Sequence, residues 1–237
     1  MGDIKETYLS FVAKCQNITT QSLTDENIPR IGLNHSSIDD YNAWYTIIES
    51  RPENIMFKSA LREYQMSLLA GVLGLYNLAF TGLRFFFERT LTGVLFSTKE
   101  MELRLWMKGG RDTYWAEICD DDKGIFSHNF CVAFFPELKD EIKHFKVLAT
   151  KVYRECSEYV HGNISTQSKV PDTLNYSDEL IKEWNEKADT MKSILTFAFC
   201  LRYLPYLSEK EKKVVESCVL DQLSHVEPIR SYFSIVS

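Results

Sequence analysis

The sequence predicts an all-α protein built around a long central hydrophobic helix. Three observations carry this. Apolar residues recur at helical spacing through most of the chain, stretches that alternate with period two are few, and β-branched clusters are rare. Hydrophobic residues make up 45% and charged residues 25% of the 237 residues, the mix of a globular chain rather than a disordered one. A chain of this length buries a sizeable core without disulfide or metal staples. No internal repeat is visible. We read a single helical domain over 1–237, with N-terminal helices and a loop in 1–56, the helical core in 57–223, and a partly ordered tail in 224–237.

The elements follow in order. Residues 3–16 read as an opening amphipathic helix. Residues 17–40, rich in Thr, Asn, Ser and Asp and interrupted by Pro29 and Gly32, read as a loop. A short helix starts after Ser36 or Ser37 and ends near Ser50, ahead of Pro52. The long apolar pattern over 57–96 reads as one or two helices, with a bend near Gly71 or Gly74. Ser97 and Thr98 are candidate caps for a helix over 99–108, which Gly109 and Gly110 stop. Residues 111–120 read as another short helix, followed by an acidic turn at Asp120, Asp121 and Asp122. That turn lacks the spacing and terminal Glu of an EF-hand. Pro136 opens a helix over 137–160, which Gly162 and Asn163 stop, and 163–175 is an exposed loop. Ser177 caps a long helix over 178–203 that Pro205 breaks. Ser208 with Glu211 forms a capping-box signature for the last helix, to 223.

The formal net charge of −6 excludes a broad basic surface, so any nucleic-acid contact must be a local patch. Residues 66–83 form an uncharged run near the lower length limit of a membrane span. The run is broken by Gly71, Gly74, Asn77, Thr81 and Gly82, is followed at once by Arg84, Glu88 and Arg89, and has no second hydrophobic segment to accompany it. It reads as a central core helix, and no membrane association is expected. The N-terminus shows no secretory pattern, and Glu6 stands where a myristoylation site wants Ser or Thr. The six cysteines form no CxxC pair and read as reduced thiols of a cytoplasmic protein. Five scattered histidines give no metal-ligand spacing, and neither a metal nor a cofactor is expected.

The informative stretch is Tyr153-Arg154-Glu155-Cys156-Ser157-Glu158-Tyr159-Val160-His161-Gly162, on the last turns of the 137–160 helix. At about 100° per residue, Phe145, Leu148, Ala149, Val152, Cys156 and Tyr159 share one apolar arc, while Arg154, Glu158 and His161 share the opposite one. Arg154 and His161 are seven residues apart, so they stack two turns from each other, about 10 Å along the axis. The face that carries them points away from this helix's own core.

This pairing resembles the Arg-x4-6-His motif of the HEPN superfamily, helical domains of bacterial toxins and antiviral systems. Ser157-Glu158-Tyr159-Val160-His161-Gly162 is similar to the S-x-Y-V-H-G ending of HEPN-like bacterial proteins. Glu155 departs from the best-known members, where a polar residue, often Asn, follows the Arg. The resemblance implies a HEPN-like helical bundle and a metal-independent ribonuclease, acting as a toxin or effector of antiphage defence and held inactive by a regulatory partner protein. It implies a homodimer in which two motif helices pack side by side, so that paired Arg154 and His161 line one cleft on the RNA. In that reaction the 2′-OH is the nucleophile and the product is a 2′,3′-cyclic phosphate. His161 would move the proton, histidine being the side chain that titrates near neutrality. Arg154 would hold the phosphate, and Glu158 would orient one of the two.

Arg84 and Glu88, spaced i, i+4 amid Phe85, Phe86 and Phe87, read as a partly buried structural pair. A functional role would give Arg84 a second phosphate contact and bring Glu88 to His161. Two alternatives stay open at this point. Arg154–Glu158 is also an ordinary i, i+4 ion pair, with His161 closing the helix end. The same fold also serves as a non-catalytic scaffold or regulatory subunit of a defence or toxin–antitoxin complex. His35, His128, His144 and His225 read as surface residues. Trp44, Trp106, Trp115 and Trp184 read as core or interface anchors, since no basic stripe accompanies them.

Overall fold

The computed structural model describes residues 3–234, and these residues are helical without any strand. The α-helices are α1 (Ile4–Ser22), α2 (Ile28–Ile47), α3 (Asn54–Val72), α4 (Tyr76–Phe96), α5 (Glu100–Met107), α6 (Trp115–Ile118), α7 (His128–Phe134), α8 (Ile142–His161), α9 (Ile164–Gln167), α10 (Asp178–Tyr203), α11 (Glu209–Leu223) and α12 (Glu227–Ser234). Short 3-10 turns lie at Pro136–Leu138 and Leu204–Tyr206.

The long apolar pattern is two helices, not one. Gly74 takes φ 79°, and the backbone N–H of Leu75 donates to Ala70 O at 2.8 Å, closing α3 with a left-handed residue that suits glycine. The chain then turns back as α4, so the uncharged run of 66–83 is divided between two antiparallel helices. Among the described residues no helix is long and apolar enough to cross a membrane.

α4 is the central helix, buried on most sides: α3, α8 and α10 all pack on it. Its glycines set how close α3 comes. A Cβ at Gly82 would lie 3.0 Å from Ser67 Cβ, and a Cβ at Gly93 would lie 2.6 Å from Phe57 Cε1. Ser67 Oγ donates to Ala79 O at 2.6 Å and accepts from Trp184 Nε1 at 2.9 Å, so one small side chain ties α3, α4 and α10 together. One hydrophobic cluster extends from Tyr41 to Phe233.

The 17–40 segment differs most from expectation. α1 continues to Ser22 and α2 begins at Ile28, with Pro29 in its first turn, where a proline starts a helix rather than breaking it. The polar residues that suggested a loop are satisfied within helices. Thr19 Oγ1 donates to Cys15 O, Ser37 Oγ donates to Leu33 O, and buried Asn34 reaches Asn185 Oδ1 at 2.9 Å on α10. The proposed helix over 137–160 starts later, at Ile142, because Pro136–Leu138 forms a 3-10 turn first. The 111–120 helix shrinks to α6, and Lys99 rather than Ser97 or Thr98 precedes α5. The loop expected over 163–175 contains α9. The tail from 224 carries α12, whose Ile229 and Phe233 are buried in the core; residues 235–237 lie outside the described residues. Ser177 and the Ser208–Glu211 capping box cap α10 and α11 as expected.

Gly93→Ala is expected to destabilise the fold by about 1–3 kcal/mol, because the ring of fully buried Phe57 has no room to move aside. Urea denaturation checks this, and an unchanged midpoint would show that α3 and α4 are less closely packed than described.

Candidate functional site

α8 carries the candidate site, and its inner side dictates its outer one. Ile142, Phe145, Ala149, Val152, Cys156 and Tyr159 are buried. Phe145 stacks on Phe197 of α10 with ring centroids 3.8 Å apart, and Tyr159 stacks on Phe80 of α4 at the same separation. Successive 100° steps then place Lys143, Val147, Thr150, Arg154 and His161 on a single ridge on the opposite side. All five are exposed.

Arg154 and His161 therefore stand together on the outward ridge, as expected. The Arg154 side chain is 83% exposed, and among the described residues its only ion-pair contact is Nε to Glu158 Oε1 at 3.8 Å. Its terminal nitrogens remain available as a bidentate donor pair for a phosphate. His161 is the last residue of α8. Gly162 follows with φ 66°, and the N–H groups of Gly162 and Asn163 both donate to Glu158 O. The glycine closes the helix through the backbone, so the imidazole is not needed for that task. Among the described residues it makes no hydrogen bond or ion pair. Among the described residues the Glu158 carboxylate pairs with Arg154 and not with His161.

A cleft of about 740 Å³ runs along this face, lined by Asp121, Lys143, Lys146, Lys151, Arg154, Glu155 and Glu158, with Val147 and Thr150 between them. Four cations against three carboxylates make it a locally basic strip on an acidic chain. Among the described residues Lys143 has no ion-pair partner, and Asp121, which pairs with Lys146 at 2.5 Å, is almost fully solvent-exposed. Glu155 is shared between the strip and the core: Lys187 of α10 donates to its Oε2 at 2.7 Å, and Lys151 of the strip lies 3.9 Å from its Oε1. The residue that departs from the HEPN pattern thus tethers α8 to α10.

Arg84 and Glu88 are placed elsewhere. Both are largely buried, and they pair at 3.5 Å along α4. Arg84 Nη2 donates to the Tyr153 hydroxyl at 2.6 Å, and that hydroxyl donates to Glu88 Oε2 at 3.3 Å. The guanidinium also lies over the Tyr153 ring, whose other contact is a parallel stack on Trp115 at 3.7 Å. The two charges meet α8 through Tyr153 on its flank, so Glu88 does not reach His161 and Arg84 does not reach the outward ridge. Burial pushes the Glu88 carboxyl above the usual glutamate range, against the opposing effect of Arg84 and the Tyr153 hydrogen bond. Tyr153 was not singled out from the sequence. The one signal for it was an aromatic residue at the border of the polar arc.

Comparison with models of known families, with curated proteins and with solved structures gives no match.

The other candidates resolve simply. The Asp120 carboxylate accepts from the backbone N–H groups of Asp122 and Lys123, which makes it a turn. Among the described residues no group of three or more His, Cys, Asp or Glu could hold a metal ion. All six cysteines are free, and burial pushes the thiols of Cys131 and Cys156 up to about 11 and about 12, far from a nucleophile's range. Trp44 stacks on Phe199, and Trp106 packs on the small cluster of Met56, Phe96 and Leu103.

The raised Glu88 pKa sets a pH dependence. Below the ordinary glutamate range the carboxyl is neutral in both the folded and unfolded chain, and its contribution to stability is fully present. As pH rises through the raised folded pKa, ionisation in the desolvated site removes stability. Thermal unfolding of Glu88→Gln across this range is expected to show a flatter pH profile than the wild type. Superimposable profiles would mean that Glu88 is solvated.

Proposed function

We propose that this chain is a HEPN-like metal-independent ribonuclease, a toxin or effector of antiphage defence whose reaction centre is completed by a second copy of the chain. The observation that carries this reading is the shared outward ridge of Arg154 and His161, one with free guanidinium donors and the other with an unengaged imidazole. In-line attack by a ribose 2′-OH on the adjacent phosphorus needs a proton acceptor and a fixed positive charge on the non-bridging oxygens. The attack forms the 2′,3′-cyclic phosphate and breaks the P–O5′ bond, and the departing 5′-oxygen takes up a proton. One helix supplies one imidazole and one guanidinium. Two ridges placed face to face supply two of each, enough for the proton to leave the 2′-OH and another to reach the leaving oxygen. Lys143, Lys146 and Lys151 extend the cationic strip along α8, where neighbouring phosphates would lie.

A second reading is a non-catalytic HEPN-like scaffold. Exposed Val147 on the ridge and exposed Ile164 just beyond it favour a protein surface there.

Arg154→Ala and His161→Ala separate the two readings. Each is expected to lower cleavage of single-stranded RNA at least 100-fold. Both side chains are exposed, so stability should change by less than about 0.5 kcal/mol. Gel analysis of the products, with detection of the cyclic phosphate, checks the chemistry. A wild-type chain that neither cleaves RNA nor is toxic to the cells that express it would favour the scaffold.

A further inference from the structure

A second cavity, of about 210 Å³, opens between α8 and α10 beside the cationic strip and shares Lys151 and Glu155 with it. Leu148 and Val152 of α8 form its apolar part, and Glu186 and Lys187 of α10 stand on its other wall. A cavity of roughly 150 Å³ encloses a benzene ring. This one therefore has room for a single, somewhat larger ring system. Its charge differs from that of the strip. Lys151 and Lys187 stand against Glu155 and Glu186, so the cavity is formally neutral, whereas the strip carries four cations against three carboxylates. A neutral pocket beside a positive strip suits the two halves of a nucleotide, with phosphate on the strip and base in the pocket.

Two of the four charged groups are engaged within the chain. Buried Lys187 donates to Glu155 Oε2 at 2.7 Å and pairs with Glu183 at 3.2 Å. The other two are available. Glu186 is exposed, and among the described residues its carboxylate makes no hydrogen bond or ion pair. The Lys151 side chain is 72% exposed, and its one ion-pair contact among the described residues is Glu155 at 3.9 Å. The cavity thus offers a free carboxylate from α10 and a loosely held ammonium from α8. An ionised carboxylate only accepts hydrogen bonds and an ammonium only donates them. Guanine is the base whose Watson–Crick edge presents N–H groups on two adjacent nitrogens, N1 and N2, with the O6 acceptor beside them. Adenine, cytosine and uracil each present N–H on one nitrogen of that edge, so only guanine satisfies both oxygens of a carboxylate in the bidentate manner.

We propose that this cavity is a guanine-recognition site for RNA lying on the strip. Glu186 accepts from N1–H and N2–H, Lys151 donates to O6, and Leu148 and Val152 lie against the face of the ring. The base belongs to a strand rather than to a free nucleotide, because the cations of the strip run from Lys143 to Arg154, about 16 Å along the helix axis, farther than one phosphate reaches. The site deepens the ribonuclease reading by naming the base it selects. It rests on that reading's placement of RNA along α8, but not on cleavage.

Fluorescence anisotropy of the full chain with labelled 2′-O-methyl hexamers tests it, since such strands lack the nucleophile and report binding without cleavage. A uridine hexamer carrying one guanosine is expected to bind about ten-fold more tightly than the same strand carrying adenosine. The strand carrying inosine, which lacks the 2-amino group, is expected to bind more weakly than the guanosine strand. Glu186→Gln should remove the preference and leave the affinity for the adenosine strand unchanged. Strands that bind without discrimination would overturn the guanine site alone, as would a preference that survives Glu186→Gln or an inosine strand bound as tightly as the guanosine one. Guanosine monophosphate that binds as tightly as the hexamer would assign the cavity to a free nucleotide and overturn its role in reading RNA. Failure to bind any strand would overturn both this site and the ribonuclease reading. A guanosine preference in a chain that cleaves no unmodified RNA would support the site and overturn the ribonuclease reading only.

Discussion

Burial of one side of α8 decides what its other side presents. The stripe from Ile142 to Tyr159 packs on α4 and α10, with rings stacked at Phe145–Phe197 and Tyr159–Phe80. A helix seated by two aromatic stacks more than three turns apart has no freedom to rotate about its axis. Arg154 and His161 are therefore held outward by contacts they do not themselves make. Loss of that seating would change the direction of the guanidinium and the imidazole together.

Two polar contacts flank the apolar stripe and act in the same sense. On one side Tyr153 is gripped by Arg84 and Glu88 of α4 and covered by Trp115. On the other, Glu155 is held by Lys187 of α10, which also pairs with Glu183 at 3.2 Å. A buried ion pair contributes little net stability over apolar packing, whereas leaving one member unpaired costs several kcal/mol. Such pairs oppose alternative registers of α8 more than they add to the overall stability. The charges on the flanks are thereby consumed internally, and those on the ridge stay available.

Much of this was legible in the sequence, for identifiable reasons. Gly74 and Gly162 punctuate helices because both occupy left-handed backbone that other residues resist. Ser177 and the Ser208–Glu211 pair announce helix starts through local hydrogen bonds. The seven-residue spacing of Arg154 and His161 fixes their common face once a helix is assumed. α2 was not legible, because its polar residues are paid for by partners far along the chain: Asn34 by Asn185, and Asn27 by Tyr176, which accepts from Asn27 Nδ2 at 3.0 Å. Nor was the place of Arg84 and Glu88, since an i, i+4 pair on one helix does not reveal which neighbouring helix closes over it.

The outward ridge becomes a reaction centre only if two copies share it, and mixing of subunits measures that directly. The Arg154→Ala/His161→Ala double variant is exchanged in rising excess into the wild-type protein, and RNA cleavage is followed in time. A shared centre predicts that activity per wild-type chain falls as the wild-type share falls, because a mixed dimer keeps one guanidinium and one imidazole where the reaction uses two of each. Activity per wild-type chain that stays constant although subunits exchange would contradict it.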